Sequence, residues 1–376
     1  MTDALVPLQW IDLFHCDDPR DAVHQAVACL AQGGLIGLAT ETVYTLATSA
    51  LYEQGLARLR ALGLTPTSEP LTLLVKGPEE CADWVPDISP IGRRLARRLW
   101  PGPLTLIFPR GPTEGLFGCL PPAARKLIAP AGALALRCSA DPFLRDVLQL
   151  TCAPLVLGPA SSSEGAAAVT VESLRGLSAL DMVIDSGPTH GEKNCTYVRI
   201  ENDRWTVERE GIIDPRTLTQ MSGRIILFIC TGNTCRSPMA EAICKLLLAK
   251  RLSCSPEELE DRGFVVLSAG VAAAAGAPAA VQAVDVLRSL GGSLDAHRSR
   301  RVTLDLIRQA DWIFAMTADH YGALLEAVPE AEGYTYLLDP QGGDVPDPIG
   351  SDHQTYRQTA QTIERMLEAR LQQIGL

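Results

Sequence analysis

Apolar residues along this chain fall into two kinds of pattern. Residues 21–33, DAVHQAVACLAQG, space them three and four apart and end on glycine, which predicts an amphipathic helix. Short unbroken apolar runs between turn residues predict buried strands: GLIGLAT (34–40), LTLLV (71–75), LTLIFP (104–109), ALALRC (133–138), PLVLG (154–158) and MVIDSG (182–187). This is α/β material with a large sheet. From residue 223 the two patterns alternate cleanly. Strand 225–230 is followed by a helix from 238, and strand 264–270 by a helix over 279–290. A helix near 304–308, a strand over 311–317, a helix from about 318, a strand over 335–338 and a helix over 354–373 complete the series. Such alternation predicts a doubly wound parallel sheet, whose ligands sit beyond the carboxyl ends of the strands.

Between these regions lies EREGIIDPRTLTQMSGR, residues 208–224, with a proline and a Ser-Gly pair among polar residues. It reads as a linker, and its Met221 hints at two units joined end to end. The chain therefore divides into domains 1–214 and 223–376, as its 376 residues would suggest. No internal repeat is visible.

Composition narrows the classes. Hydrophobic residues at 47% against 20% charged describe a globular chain. A net charge of −11 argues against a general nucleic-acid coat, although RRLARR (93–98) places arginines on one helix face, read equally as a solvated surface or an RNA contact. The N-terminus lacks a charged-then-apolar export signal, and no apolar run approaches the ~18 residues of a membrane span. The eleven cysteines, scattered and odd in number, fit reduced thiols in a cytoplasm better than disulfides. No CxxC pair, HExxH or histidine cluster suggests a metal.

The strongest local signal is IILFICTGNTCRSPMAEAICKLLL, residues 225–248. A strand ends on Cys230, and Arg236 follows after five residues. Gly232 and Asn233 tolerate unusual backbone angles. Ser237 reads as a helix cap, with Pro238 in the first helical position. Wrapped around, Thr231, Gly232, Asn233, Thr234, Cys235, Arg236 and Ser237 turn backbone N–H groups inward and form an anion cradle sized for phosphate. The same field favours a thiolate at Cys230, and Arg236 can fork two donors onto phosphate oxygens. A nucleophile beneath a phosphoryl group predicts covalent transfer through phosphocysteine, with no cofactor. Downstream, GGDVPDPIG sets Asp347 between two prolines and Asp344 three residues earlier. Asp347 is the expected general acid, and the general base when water attacks.

CTGNTCRSPMAEA with the later PDP resembles the low-molecular-weight protein tyrosine phosphatase family over the whole second unit. The resemblance implies Cys230 as nucleophile, Arg236 as phosphate clamp, Asn233 as loop organiser, Ser237 as partner of the thiolate and Asp347 as acid, acting on a phosphorylated protein. Thr234 is similar to the protein arginine phosphatase subgroup, and Ile349 and Gly350 stand where tyrosine-directed members tend to carry aromatics. The resemblance thus implies phosphoarginine first and phosphotyrosine second. The related arsenate reductases need a downstream cysteine pair, whereas only Cys235, Cys244 and Cys254 follow Cys230. Cys235 either forms a protective reversible disulfide with Cys230 or simply packs.

ATETVYTLATSA (39–50), WPGPLTLIFP (100–109), ALRC (135–138), VIDSGPT (183–189) and EREG (208–211), in that order, resemble the threonylcarbamoyl-AMP synthase family of tRNA-modification enzymes. The resemblance implies a twisted mixed sheet and a substrate pocket at Thr40, Thr42, Tyr44, Arg137, Thr196 and Arg209. The family's Lys-x-Arg-Pro stretch reads GLTPTSEPL here, with Gly63 and Thr65 in place of both cations, so the ATP site is expected to be degenerate. Three readings of this unit stand open. It is an adenylating enzyme using ATP with Mg, it keeps only a threonine-sized or nucleotide-like pocket, or it is a non-catalytic module that docks nucleotide, tRNA or double-stranded RNA.

Overall fold

The computed structural model describes residues 8–109, 115–161, 167–177, 179–189 and 193–376. It divides into two units, Met1–Met221 and Ser222–Leu376. Both are α/β.

The first unit is built on ten strands: β1 (Gln9–Asp12), β2 (Ile36–Ala39), β3 (Tyr44–Ser49), β4 (Thr72–Leu74), β5 (Leu104–Phe108), β6 (Leu134–Arg137), β7 (Leu155–Pro159), β8 (Met182–Asp185), β9 (Thr196–Glu201) and β10 (Arg204–Arg209). They form one sheet in the order β1-β8-β2-β3-β7-β4-β6-β5-β9-β10, with parallel and antiparallel pairs mixed. Strands β2 to β7 are buried on both faces, which explains the unbroken apolar runs of β2 and β4 to β7. Four strands escaped the sequence pattern. β3 reads as polar because Thr45 and Thr48 spend their hydroxyls on the carbonyls of Gly158 and Gly34. β9 and β10 form a hairpin turned at Asn202, whose φ of 55° suits asparagine. β1 is a short edge strand.

The segment read as a linker does hold the boundary between the two units, after Met221, but much of it is helical. Asp214 accepts the Thr217 backbone N–H at 3.0 Å, Pro215 opens the helix Pro215–Ser222, and Leu218 is buried in the core of the first unit. A proline that signals a break in the pattern here starts a helix instead.

The second unit has four parallel strands, β11 (Arg224–Cys230), β12 (Phe264–Gly270), β13 (Trp312–Ala315) and β14 (Thr335–Leu337), in the order β12-β11-β13-β14. Alternation along β11 decides its packing. Ile226, Phe228 and Cys230 face the helices Arg236–Leu252 and His353–Gln373, where Met239, Ile243, Ile363 and Leu367 lie. Ile225, Leu227 and Ile229 face the opposite layer, with Ile307 and Leu324. The chain leaves β11 toward β12 on one side and later returns to β13 on the other. The carboxyl end of β11 is therefore the point where strand order switches direction, and Cys230 stands on it.

Candidate functional site

The loop after β11 closes around the thiol of Cys230. Asn233 takes φ 56°, a left-handed turn that aims its backbone N–H at Cys230 Sγ, 3.2 Å away. Ser237 Oγ lies 3.0 Å from the same sulfur. Asn233 is fully buried, and every polar atom it has is engaged. Its Nδ2 donates to Ser237 Oγ (3.0 Å) and Ser268 Oγ (2.9 Å), its Oδ1 accepts from the Arg300 backbone N–H (2.9 Å), and its carbonyl accepts from His297 Nε2 (2.8 Å). Ser268 donates in turn to Glu241 at 2.6 Å, and Lys245 pairs with Glu241 from one helical turn further on. Because Glu241 only accepts and Asn233 Nδ2 only donates, Ser237 receives from Asn233 and turns its own hydrogen toward the sulfur or the Ala269 carbonyl 3.3 Å away. The chain of bonds thus aims the Asn233 N–H at Cys230 and leaves the Ser237 hydrogen able to join it.

The helix behind the loop begins two residues earlier than the Ser-Pro pair suggests. It runs Arg236–Leu252, with Cys235 at the cap position making no side-chain capping bond. Ser237 is therefore not the cap, and Pro238 sits in the third helical position. The physical reason is competition for one hydroxyl: Ser237 Oγ serves Cys230 and Asn233, so it does not cap its own helix. The backbone at Cys230 is tightly fitted as well. A Cβ on Gly270, its register partner on β12, would lie 2.4 Å from the Thr231 carbonyl oxygen.

Arg236 is buried, and its Nη2 donates to Asp347 Oδ2 at 2.6 Å while Nη1 reaches the Val345 carbonyl at 3.3 Å. Asp347 itself is 42% exposed. The two residues singled out for clamp and acid are thus in contact, with the acid loop folded onto the guanidinium. Thr231 lies beside His320, treated below. Thr234 is half-buried, and its carbonyl accepts the Ala280 N–H at 2.9 Å. Cys235 Sγ stands 3.1 Å from Tyr356 Oη, and burial, then this contact, push the Tyr356 hydroxyl above its ordinary value. Asp344 caps the helix Ala318–Ala327 by accepting the Ala318 N–H, which leaves Asp347 as the carboxylate on the clamp. Sequence reasoning missed Glu241, Ser268, His297, Arg300 and His320. Glu241 lies one turn beyond Ser237 on the same helix, whereas Ser268, His297, Arg300 and His320 come from three other segments that no local spacing joins to Cys230.

In the first unit, Thr40, Tyr44, Arg137 and Arg209 line one pocket with Thr65, Glu69, Ser161, Asn194 and Tyr197. Thr42 and Thr196 are not on its wall. Thr42 is buried behind Thr40 at 3.0 Å, and Thr196 Oγ1 clasps the backbone of Ile213, accepting its N–H and donating to its carbonyl. Tyr44 donates to the Gly187 carbonyl at 2.7 Å, and burial pushes its hydroxyl up to about 12. Arg137 pairs with Glu41 at 2.9 Å. Burial would raise the Glu41 carboxyl, but Arg137 and Ser139 outweigh it and hold the group below its ordinary value. Arg209 pairs with Glu69 at 3.2 Å and stacks on Tyr197. Both cations on the wall therefore have acidic partners. Leu64 and Thr65 line the wall where the GLTPTSEPL loop passes, and Arg60 pins that loop through the carbonyls of Pro66 and Glu69.

With this geometry in hand, comparison with known proteins is direct. Residues 225–375 match the family model described as low molecular weight phosphotyrosine protein phosphatase, and residues 28–211 match the Sua5/YciO/YrdC model described as telomere recombination. A protein-arginine-phosphatase of Geobacillus stearothermophilus is 40% identical over 147 residues, covering 38% of this chain and 90% of that protein. The low molecular weight protein-tyrosine-phosphatase Etp of Escherichia coli K12 is 33% identical over 150 residues, covering 39% of this chain and 93% of its own length. A solved structure of Sua5 from P. abyssi aligns with 18% identity and a TM-score of 0.49, covering 70% of this chain and 91% of that one. The chain belongs, through its second unit, to the low molecular weight phosphotyrosine protein phosphatase family. That unit follows a first one that is similar to the Sua5/YciO/YrdC model. Among the described residues, no helix is long and apolar enough to cross a membrane.

Proposed function

We propose that the second unit is a protein phosphatase working through a phosphocysteine, with phosphoarginine as its preferred substrate. The observation that carries this reading is the thiol of Cys230 in contact with the Asn233 N–H and Ser237 Oγ, beneath a loop closed by Arg236 and Asp347. Arg236 leaves Asp347 to fork onto the bound phosphoryl oxygens. Cys230 Sγ attacks phosphorus, and the P–N bond of phosphoarginine breaks, or the P–O bond of phosphotyrosine. Asp347 delivers its proton to the departing atom. Asp347, now ionised, takes a proton from water as its oxygen attacks the P–S bond, and inorganic phosphate leaves with the thiolate restored.

Three features support phosphoarginine. Thr234 puts a hydroxyl in the cradle, Ile349 and Gly350 follow Asp347 where a stacking aromatic would suit a phenol, and one of the related proteins above is an arginine phosphatase. The test is phosphate release from phosphoarginine and phosphotyrosine peptides at equal concentration, with Cys230→Ala as blank. Faster release from phosphoarginine is expected. Thr234→Ile is expected to move the ratio of kcat/KM values toward phosphotyrosine by roughly tenfold, the scale of one side chain's polarity in a specificity pocket. An unchanged ratio would remove the role given to Thr234.

For the first unit we propose a degenerate ATP site. A triphosphate would meet Arg137 and Arg209 already paired with Glu41 and Glu69, and would find Thr65 and Gly63 in place of cations. Gly63 has φ 67°, a conformation that a lysine would adopt only at a cost of roughly 1 to 2 kcal/mol. Pyrophosphate release dependent on ATP, bicarbonate and threonine is expected to stay at the level of a protein-free control. Sustained turnover would restore the adenylating reading.

A further inference from the structure

His320 is 5% exposed, and both ring nitrogens are engaged. Nδ1 lies 2.8 Å from Thr317 Oγ1, and Nε2 lies 2.8 Å from Oγ1 of Thr231, the first residue after the nucleophile. The donors and acceptors can be assigned by accounting. Thr317 caps the helix Ala318–Ala327, so its oxygen already accepts the His320 backbone N–H. That oxygen has a second lone pair, but Nδ1 is the one acceptor that meets its hydrogen among the described residues, whereas the exposed Thr231 hydroxyl can give its hydrogen to solvent or ligand, so the ring is assigned as accepting at Nδ1. A neutral ring that accepts at Nδ1 must carry its hydrogen on Nε2 and donate to Thr231 Oγ1. Thr231 Oγ1 thereby accepts one bond from the ring and keeps its own hydrogen free. The Thr231 backbone is held too, since its carbonyl accepts the Ala272 N–H at 3.0 Å, while the side chain is exposed at the mouth of the cradle.

The charged groups facing His320 are Arg236, Asp319, Asp347 and Asp344, which places it between the phosphate loop and the acid loop. Burial, and then the Arg236 charge, hold the imidazole below its ordinary value, so the ring is neutral at neutral pH.

We propose that the Thr231 hydroxyl is a further donor to the phosphoryl group and that His320 is the positioning residue that turns it there. This rests on the reading of the Cys230 loop as a phosphate cradle. The role follows from what a phosphoryl dianion requires: donors only, pre-aimed, so that no rotor is frozen on binding. A threonine without His320 would divide its hydrogen among several acceptors.

The test measures inorganic phosphate binding to the full chain by calorimetry, alongside kcat/KM for the preferred peptide. Thr231→Val keeps the branched shape without the hydroxyl, and is expected to weaken phosphate binding by roughly ten- to a hundredfold, as for one hydrogen bond to a charged group. His320→Ala is expected to do the same, and the double variant to be no worse than either single one, because both remove a single contact. Thr231→Ser is expected to restore binding to within about twofold, since it keeps the oxygen and hydrogen. Phosphate binding unchanged in Thr231→Val, or losses that add in the double variant, would overturn the proposal. Thermal unfolding identifies a variant that has lost its fold, and exposed Thr231→Val stands as the deciding variant if His320→Ala does so. If wild-type chain binds phosphate with this pattern but releases none from any peptide, the positioning role stands and the phosphatase reading fails.

Discussion

Replacing Cys230 with alanine is expected to lower phosphate release by about ten-thousand-fold or more, the scale seen when a covalent nucleophile is removed from a preorganised site. Nothing else within the loop can take its place. Ser237 Oγ points at the sulfur and is tied to Asn233, so it lacks the freedom to attack. The alanine variant should remain folded. It deprives the buried Asn233 N–H and Ser237 of a partner, a cost of about 1 to 3 kcal/mol against the many apolar contacts of β11. The two readouts separate cleanly: activity by phosphate release, integrity by thermal unfolding. A variant that keeps one tenth of wild-type activity while folded would mean that phosphoryl transfer proceeds by direct attack of water, with no phosphocysteine.

The second large effect concerns Asp347, and it has two parts of opposite sign. Asp347→Asn is expected to reduce kcat by roughly 100- to 10,000-fold, because the leaving group must depart without its proton and the attacking water keeps its own. The loss should be smallest for an activated aryl phosphate, whose leaving group needs least help. Inorganic phosphate should nonetheless bind the variant more tightly, by roughly two- to fivefold. The carboxylate now pairs with Arg236 at 2.6 Å and competes with the ligand for the same guanidinium, and a half-exposed ion pair is worth only a small amount. Stopped-flow turnover together with phosphate inhibition reads both parts. Loss of kcat with weaker phosphate binding would assign Asp347 a structural role in holding the clamp, and would move the general acid elsewhere.

Both effects bear on residues that could be named without coordinates, and the reason is local. The nucleophile, the loop and the clamp lie within seven consecutive residues, between an apolar strand and a helix, so their spacing along the chain is nearly their spacing in space. Asp347 was legible for a different reason: two flanking prolines mark a stiff loop beyond a strand. The alternating pattern after residue 223 was equally readable, since a doubly wound sheet repeats one unit. Local reading failed where one group had two possible uses. Ser237 is a good cap by composition and does not cap, because the sulfur competes for it. Pro215 looked like a break and opens a helix, because Asp214 precedes it and Leu218 finds a core to enter. Thr196 was expected in a pocket and instead clasps Ile213.

The residue order alone was enough for two α/β units, for a tight loop from Cys230 to Ser237 between a strand and a helix, and for a proline-flanked loop that carries Asp347. Those conclusions rest on short-range steric and hydrogen-bonding preferences that a few neighbouring residues express. Only the tertiary structure could decide which way the hydrogen bonds around the thiol run. That direction is imposed by Glu241, Ser268, His297, Arg300 and His320, which reach the loop from four other elements. A buried polar group takes whatever partner the fold brings within about 3 Å, and sequence separation carries no information about that distance.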